Sequence, residues 1–113
     1  MAGRLARGEV RLYGFDPPDN QRPVLVLTRD SAIPYLSRAT VAPITSSIRG
    51  VPSEVVLDVE DGMKQRCAVN LHNLVTVAQR SLGRRLGQLS EERMHEVCAA
   101  LGFALGCGGQ PPR

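Results

Sequence analysis

The chain has 113 residues, 42% hydrophobic and 22% charged, which is the size and composition of one globular domain with a single modest core. Fourteen Lys and Arg against eleven Asp and Glu give a net charge of +3, which permits a nucleic-acid partner without demanding one. Three cysteines, two histidines and no Trp speak against a disulfide framework or a zinc centre, and they leave an aliphatic core.

In chain order, the basic start lacks the apolar stretch of a signal peptide. Residues 9–15 alternate apolar and polar side chains toward their beginning and predict a strand with one wet face. Residues 16–21 break it with two prolines and several turn formers. Residues 22–28 form a continuous apolar run, best read as a central strand with Pro23 tolerable near its start. That run is too short to cross a bilayer, so a cytoplasmic protein with reduced thiols and no membrane partner is expected. Pro34 limits any helix in the irregular stretch 29–38 to about one turn.

Residues 39–45 predict a third strand that runs into a polar loop at 46–50, and residues 54–59 a fourth. Residues 67–69 and 74–77 predict a fifth strand, bulged around 70–73, and a short element follows at 85–89. The last element is a helix: Ser90 is a good N-cap, Glu91 and Glu92 suit the first turn, and Gly106 is a stop. Met94, Val97, Cys98, Leu101 and Leu105 recur at helical spacing, which assigns Cys98 to the core. The fold expected is mainly β with α, a small strongly bent sheet or barrel closed by a C-terminal helix. Residues 1–106 read as one domain and 107–113 as a tail.

Four segments carry a family resemblance. They are Arg7-Gly8-Glu9-Val10, the strand Gln21-Arg22-Pro23-Val24-Leu25-Val26-Leu27, Val41-Ala42-Pro43-Ile44-Thr45-Ser46, and Gly83-Arg84-Arg85-Leu86-Gly87-Gln88-Leu89-Ser90 leading into the helix. In this order the set resembles the MazF/PemK (Kid) toxins, endoribonucleases of type II toxin–antitoxin systems. The resemblance implies an SH3-like (PemK/CcdB-type) small β-barrel, a homodimer, and a MazE-like antitoxin whose acidic tail occupies the RNA groove. It also implies metal-independent, sequence-specific cleavage of mostly single-stranded RNA, without a cofactor. The ribose 2′-OH attacks its own phosphate and leaves a 2′,3′-cyclic phosphate and a 5′-OH, and the cell stops translating and growing.

The matching catalytic positions are Arg22 and Thr45. A guanidinium fork suits phosphate oxygens but is a poor base, and a threonine hydroxyl can donate to phosphate. Such a reaction also needs proton carriers. His72 falls at or near a position where many relatives carry Asp, and a histidine titrates near neutral pH. Asn20, Gln21, Ser46, Ser47, Arg49 and Asn70 are candidate RNA contacts, and Lys64 and Arg66 candidate phosphate contacts. Two other departures stand out: Arg11 replaces the usual Trp, and the short loop at 16–21 should leave the groove open. The alternatives are a CcdB-like toxin that binds DNA gyrase and cuts nothing, and an SH3-like interaction module.

Overall fold

The computed structural model of the protein describes residues 5–14 and 21–107. Of the turn expected at 16–21, residues 16–20, with Asn20, lie outside them, whereas Gln21 belongs to the following strand; the tail beyond Cys107 lies outside as well. The strands are β1 (Glu9–Gly14), β2 (Gln21–Val26), β3 (Arg38–Thr45), β4 (Glu54–Leu57), β5 (Cys67–Asn70), β6 (Val75–Ala78) and β7 (Arg85–Gln88), followed by helix α1 (Glu91–Leu105). The sheet runs β4-β5-β3-β2-β1-β7, with β6 also on β3. Every pairing is antiparallel. This is the bent sheet with one C-terminal helix that the sequence implied.

Strand β2 shows why its apolar run is continuous. Val24 and Val26 pack into a cluster with Ala39, Val41 and Val77, whereas Leu25 and Leu27 pack into another with Ile44, Val69 and Leu71. Alternate side chains leave opposite faces of a strand, so a strand covered on both faces needs an apolar residue at every position. The second cluster is closed by Val97 and Ala100 of α1. Ser90 caps that helix, its Oγ accepting from the Arg93 N–H at 3.1 Å. Gly106 ends it in the left-handed conformation, φ 72°.

Two expectations change in detail. The fifth strand is two strands on one edge of β3: Thr45 pairs with Ala68 and Ile44 with Val69, but Val41 pairs with Val75. An unbroken ladder would set His72 opposite Val41, so the loop between β5 and β6 inserts three residues. The inner stripe of α1 is Met94, Val97, Ala100 and Leu101, and Cys98 and Leu105 are exposed. The helix is turned by less than one residue relative to the expected face, and small Ala100 allows the close approach. Cys98 instead receives a hydrogen bond from Arg7 Nη2 at 3.1 Å.

The Arg-Gly-Glu segment that opens the chain's motif set is a structural corner. Gly8 has φ +90° and donates its N–H to the Val26 carbonyl at 2.9 Å. Its own carbonyl accepts from the Leu89 N–H at 3.0 Å, and Gln88 Nε2 donates to the Arg7 carbonyl at 3.0 Å. The first and last motifs of the sequence are therefore one junction, which joins β1 to β7 and to the start of α1.

Candidate active site

Where β2 begins and β3 ends, the sheet leaves a cavity of about 670 Å³. The β2–β3 ladder pairs Val24 with Pro43. Two residues further along this antiparallel pair come Arg22 and Thr45, on the same face, and both line the cavity with Ser46. Opposite walls come from residues 62–65, Cys67 and residues 84–86. The lining carries four cations, Arg22, Lys64, Arg84 and Arg85, and no carboxylate among its described residues. Such a concave surface concentrates positive potential and favours an anion.

Thr45 is held for donation. Its Oγ1 accepts the Ser47 N–H at 3.1 Å, which leaves the hydroxyl proton for a ligand in the cavity. Ser47 itself is exposed and does not line the cavity.

Arg84 and Arg85 reach the site through a buried ion pair. Glu9 is only 6% exposed and Arg11 9%. Arg11 Nε donates to Glu9 Oε1 at 3.0 Å, and Arg11 Nη1 donates to the Gly83 carbonyl at 2.8 Å. The second Glu9 oxygen lies 3.6 Å from Arg85 Nε. Gly83 in turn donates its N–H to the Leu12 carbonyl at 2.7 Å, and Leu12 donates to the Arg84 carbonyl at 3.1 Å. Arg11 thus clips the 83–86 segment against β1. Sequence reading included Arg84 and Arg85 in a motif but not in the site. The pairing of Arg11 with Arg85 across β1 and β7, which brings them to the cavity, is a long-range register.

The other candidates are dispersed. His72 lies outside the cavity, beyond the end of β5, with its Nδ1 hydrogen-bonded to the buried Ser53 Oγ and its backbone N–H on Asn70 Oδ1 at 3.0 Å. Arg49 donates its backbone N–H to Glu54 at 3.0 Å, and its side chain is not part of the lining. Gln21, at the exposed start of β2, and Arg66 are outside the lining as well. Lys64 is part of it. Among the described residues no three His, Cys, Asp or Glu side chains gather as a metal site.

Cys67 lines the cavity but is buried, and burial, with the charges of Asp58 and Asp61, pushes its thiol up from the ordinary value. It stays protonated at neutral pH and is no nucleophile. No helix among the described residues is long and apolar enough to cross a membrane.

Comparison with known proteins agrees with the motif set. Residues 6–105 match the family model described as a PemK-like, MazF-like toxin of type II toxin-antitoxin system. A Mycobacterium tuberculosis protein named "Probable endoribonuclease MazF5" is 50% identical over 109 residues, covering 95% of this chain and 98% of the relative. Endoribonuclease MazF3 of the same organism is 40% identical over 86 residues, 76% of this chain and 84% of that one. The solved structure of the M. tuberculosis toxin MazF-mt6 superposes with a TM-score of 0.79 at 35% identity, over 87% of this chain and 96% of that one.

Proposed function

The chain belongs to the PemK-like, MazF-like toxin family, and from that premise we propose that it is the endoribonuclease of a toxin–antitoxin pair, with the Arg22–Thr45 cavity as its cleavage site. The observation that carries the reading is the lining itself: a phosphate-matching guanidinium and a donor hydroxyl side by side, among three further cations and no carboxylate. The relatives' names favour the same activity over gyrase binding or a plain interaction module.

In this reading the RNA strand lies across the cavity with the scissile phosphate between Arg22 and Thr45. The ribose 2′-oxygen attacks the adjacent phosphorus and the bond to the 5′-oxygen breaks, giving a 2′,3′-cyclic phosphate and a 5′-OH. Arg22 and Thr45 donate to the two non-bridging oxygens, on which charge accumulates as the fifth bond forms. Lys64, Arg84 and Arg85 hold flanking phosphates, and Gln21, Ser46, Ser47, Arg49 and Asn70 are the nearest candidates for contacts outside the scissile step. His72, outside the cavity of its own chain, becomes a flanking RNA contact. The 2′-OH proton leaves to water at the mouth of the cavity, and water there returns one proton to the departing 5′-oxygen, so the 5′-OH forms with no net gain or loss of protons. The partners are single-stranded RNA, an antitoxin that blocks the same cations with carboxylates, and a second copy of the chain in a homodimer.

The test is cleavage of single-stranded RNA in EDTA by purified protein, with the new ends mapped. Arg22→Ala should lower cleavage by about 10²–10³-fold, the usual loss when a principal donor to a developing oxyanion is removed. Undiminished cleavage by that variant would move the site elsewhere. His72→Ala should keep the wild-type pH profile; loss of a limb of that profile in the variant would return the general-base role to His72.

A further inference from the structure

At the far end of β3 from the cavity, the chain builds a second surface with the makings of a nucleic-acid platform. Tyr35 is 87% exposed, the most exposed large hydrophobic side chain among the described residues, and Leu36 beside it is 50% exposed. An aromatic ring left in water is a poor use of one of only four aromatics in the chain. The loop that carries it is nevertheless well fixed. Ile33, two residues before Tyr35, is buried with Val24, Val26 and Val41. The Gln79 side-chain amide donates to three carbonyls of this loop, Ile33 at 3.1 Å, Leu36 at 2.8 Å and Arg38 at 3.2 Å. The Gln79 backbone N–H adds a fourth bond, to the Ser37 carbonyl at 2.9 Å. Tyr35 is therefore held out by its backbone.

Exposed arginines flank this loop along the chain and across the β3–β6 pair. Arg38 begins β3, opposite Ala78, and Arg80 follows the clamping Gln79; Arg29 accepts the loop's first two N–H bonds on its carbonyl. All three arginines are exposed and none is in an ion pair among the described residues. The one acid nearby in sequence, Asp30, receives the Arg7 N–H at 2.8 Å.

We propose that this loop is a second RNA-binding surface, on which Tyr35 stacks a base while Arg38 and Arg80 hold phosphates of the strand that passes through the cavity. The proposal rests on the reading of single-stranded RNA as substrate. Aromatic faces flanked by guanidinium groups bind single strands irrespective of sequence, because every base has a face and every nucleotide a phosphate. A second copy of the chain is a worse fit, since a two-fold contact through this patch would set like arginines against one another. The eight residues of β3 separate Arg38 from Thr45 by roughly 23 Å. A short substrate that fills the cavity cannot reach the loop, and a longer strand can.

The experiment compares two RNAs that share one cleavage site, of about four and about sixteen nucleotides, the range of single-strand site sizes. Wild-type protein should show a lower KM on the longer RNA at similar kcat. Tyr35→Ala should remove about tenfold of that advantage. Arg38→Gln with Arg80→Gln should remove a similar share and flatten the salt dependence of KM. All variants should cut the short RNA as the wild type does, which also reports an intact fold.

Equal KM for the two lengths in the wild type, or an unchanged length advantage in the variants, overturns the proposal. So does a change of oligomeric state on substitution, which would make the loop a subunit contact, or loss of antitoxin inhibition with the length advantage intact, which would make it a peptide site. Failure of the wild type to cut either RNA would instead overturn the nuclease reading.

Discussion

Thr45 illustrates how a single side chain is committed by its neighbours. Its hydroxyl oxygen accepts the Ser47 N–H, which fixes the oxygen and leaves its proton to donate. Thr45→Ser keeps that arrangement and should retain most activity, whereas Thr45→Val should lower kcat by about 10–100-fold with a much smaller change in KM. Single-turnover cleavage separates the two. Arg11 makes a second case at this scale. Removing its guanidinium leaves Glu9 buried with, among the described residues, the Ala6 N–H and the more distant Arg85. Arg11→Ala should cost about 3 kcal/mol in urea unfolding, the usual penalty for half of a buried ion pair. It should also raise KM for RNA, since the segment carrying Arg84 and Arg85 loses its anchor at Gly83.

Helix α1 is joined to the rest of the fold by apolar packing, by the Arg7–Cys98 hydrogen bond and by the ion pairs of Arg93 with Asp61 and, at 3.8 Å, with Glu60. Arg93 meets Asp61 in a two-pronged contact, Nε to Oδ1 at 3.0 Å and Nη2 to Oδ2 at 3.1 Å. Asp61 also takes the Asp58 N–H at 2.9 Å and lies in the short turn after β4. Burial alone would push its carboxyl up, but the Arg93 bond, the Asp58 amide and the Arg93 charge together outweigh it and hold the carboxyl below its ordinary value of 3.8. A depressed folded value means stability that is fully present above the unfolded value and is lost as pH falls through the folded one. Acid unfolding of the wild type should therefore include a contribution below about pH 4 that Arg93→Ala lacks. The same variant should be about 2 kcal/mol less stable at pH 7, and thermal melts across pH 2–7 check both statements.

Viewed whole, one copy of the chain leaves apolar surface that its own core does not use. Phe103 and Leu105, near the end of α1, are 61% and 59% exposed. An exposed apolar pair of this kind suits the contact with a second copy in the proposed homodimer. Phe103→Asp with Leu105→Asp should leave the fold intact, since neither side chain is in the core, and should convert the dimer to monomers in sedimentation velocity. Cleavage of long RNA should fall with it.

The sequence by itself determined the order of elements, the central place of β2 and the identity of the family, because these are written in local patterns. A doubly buried strand must be apolar throughout, a helix start needs its cap, and four short motifs kept their order. It also held Arg22 and Thr45, which sit two residues beyond paired strand positions and so follow from strand pairing once β2 and β3 are known. Only the tertiary structure decided the remainder of the site. Arg84 and Arg85 join the cavity through the pairing of β1 with β7 across about seventy residues, and His72 lies outside it, among the residues inserted between β5 and β6. Cys98 turned outward for a similar reason, a small rotation of α1 set by what it packs against. Registers and rotations are set by packing between distant segments, and no local pattern in the chain records them.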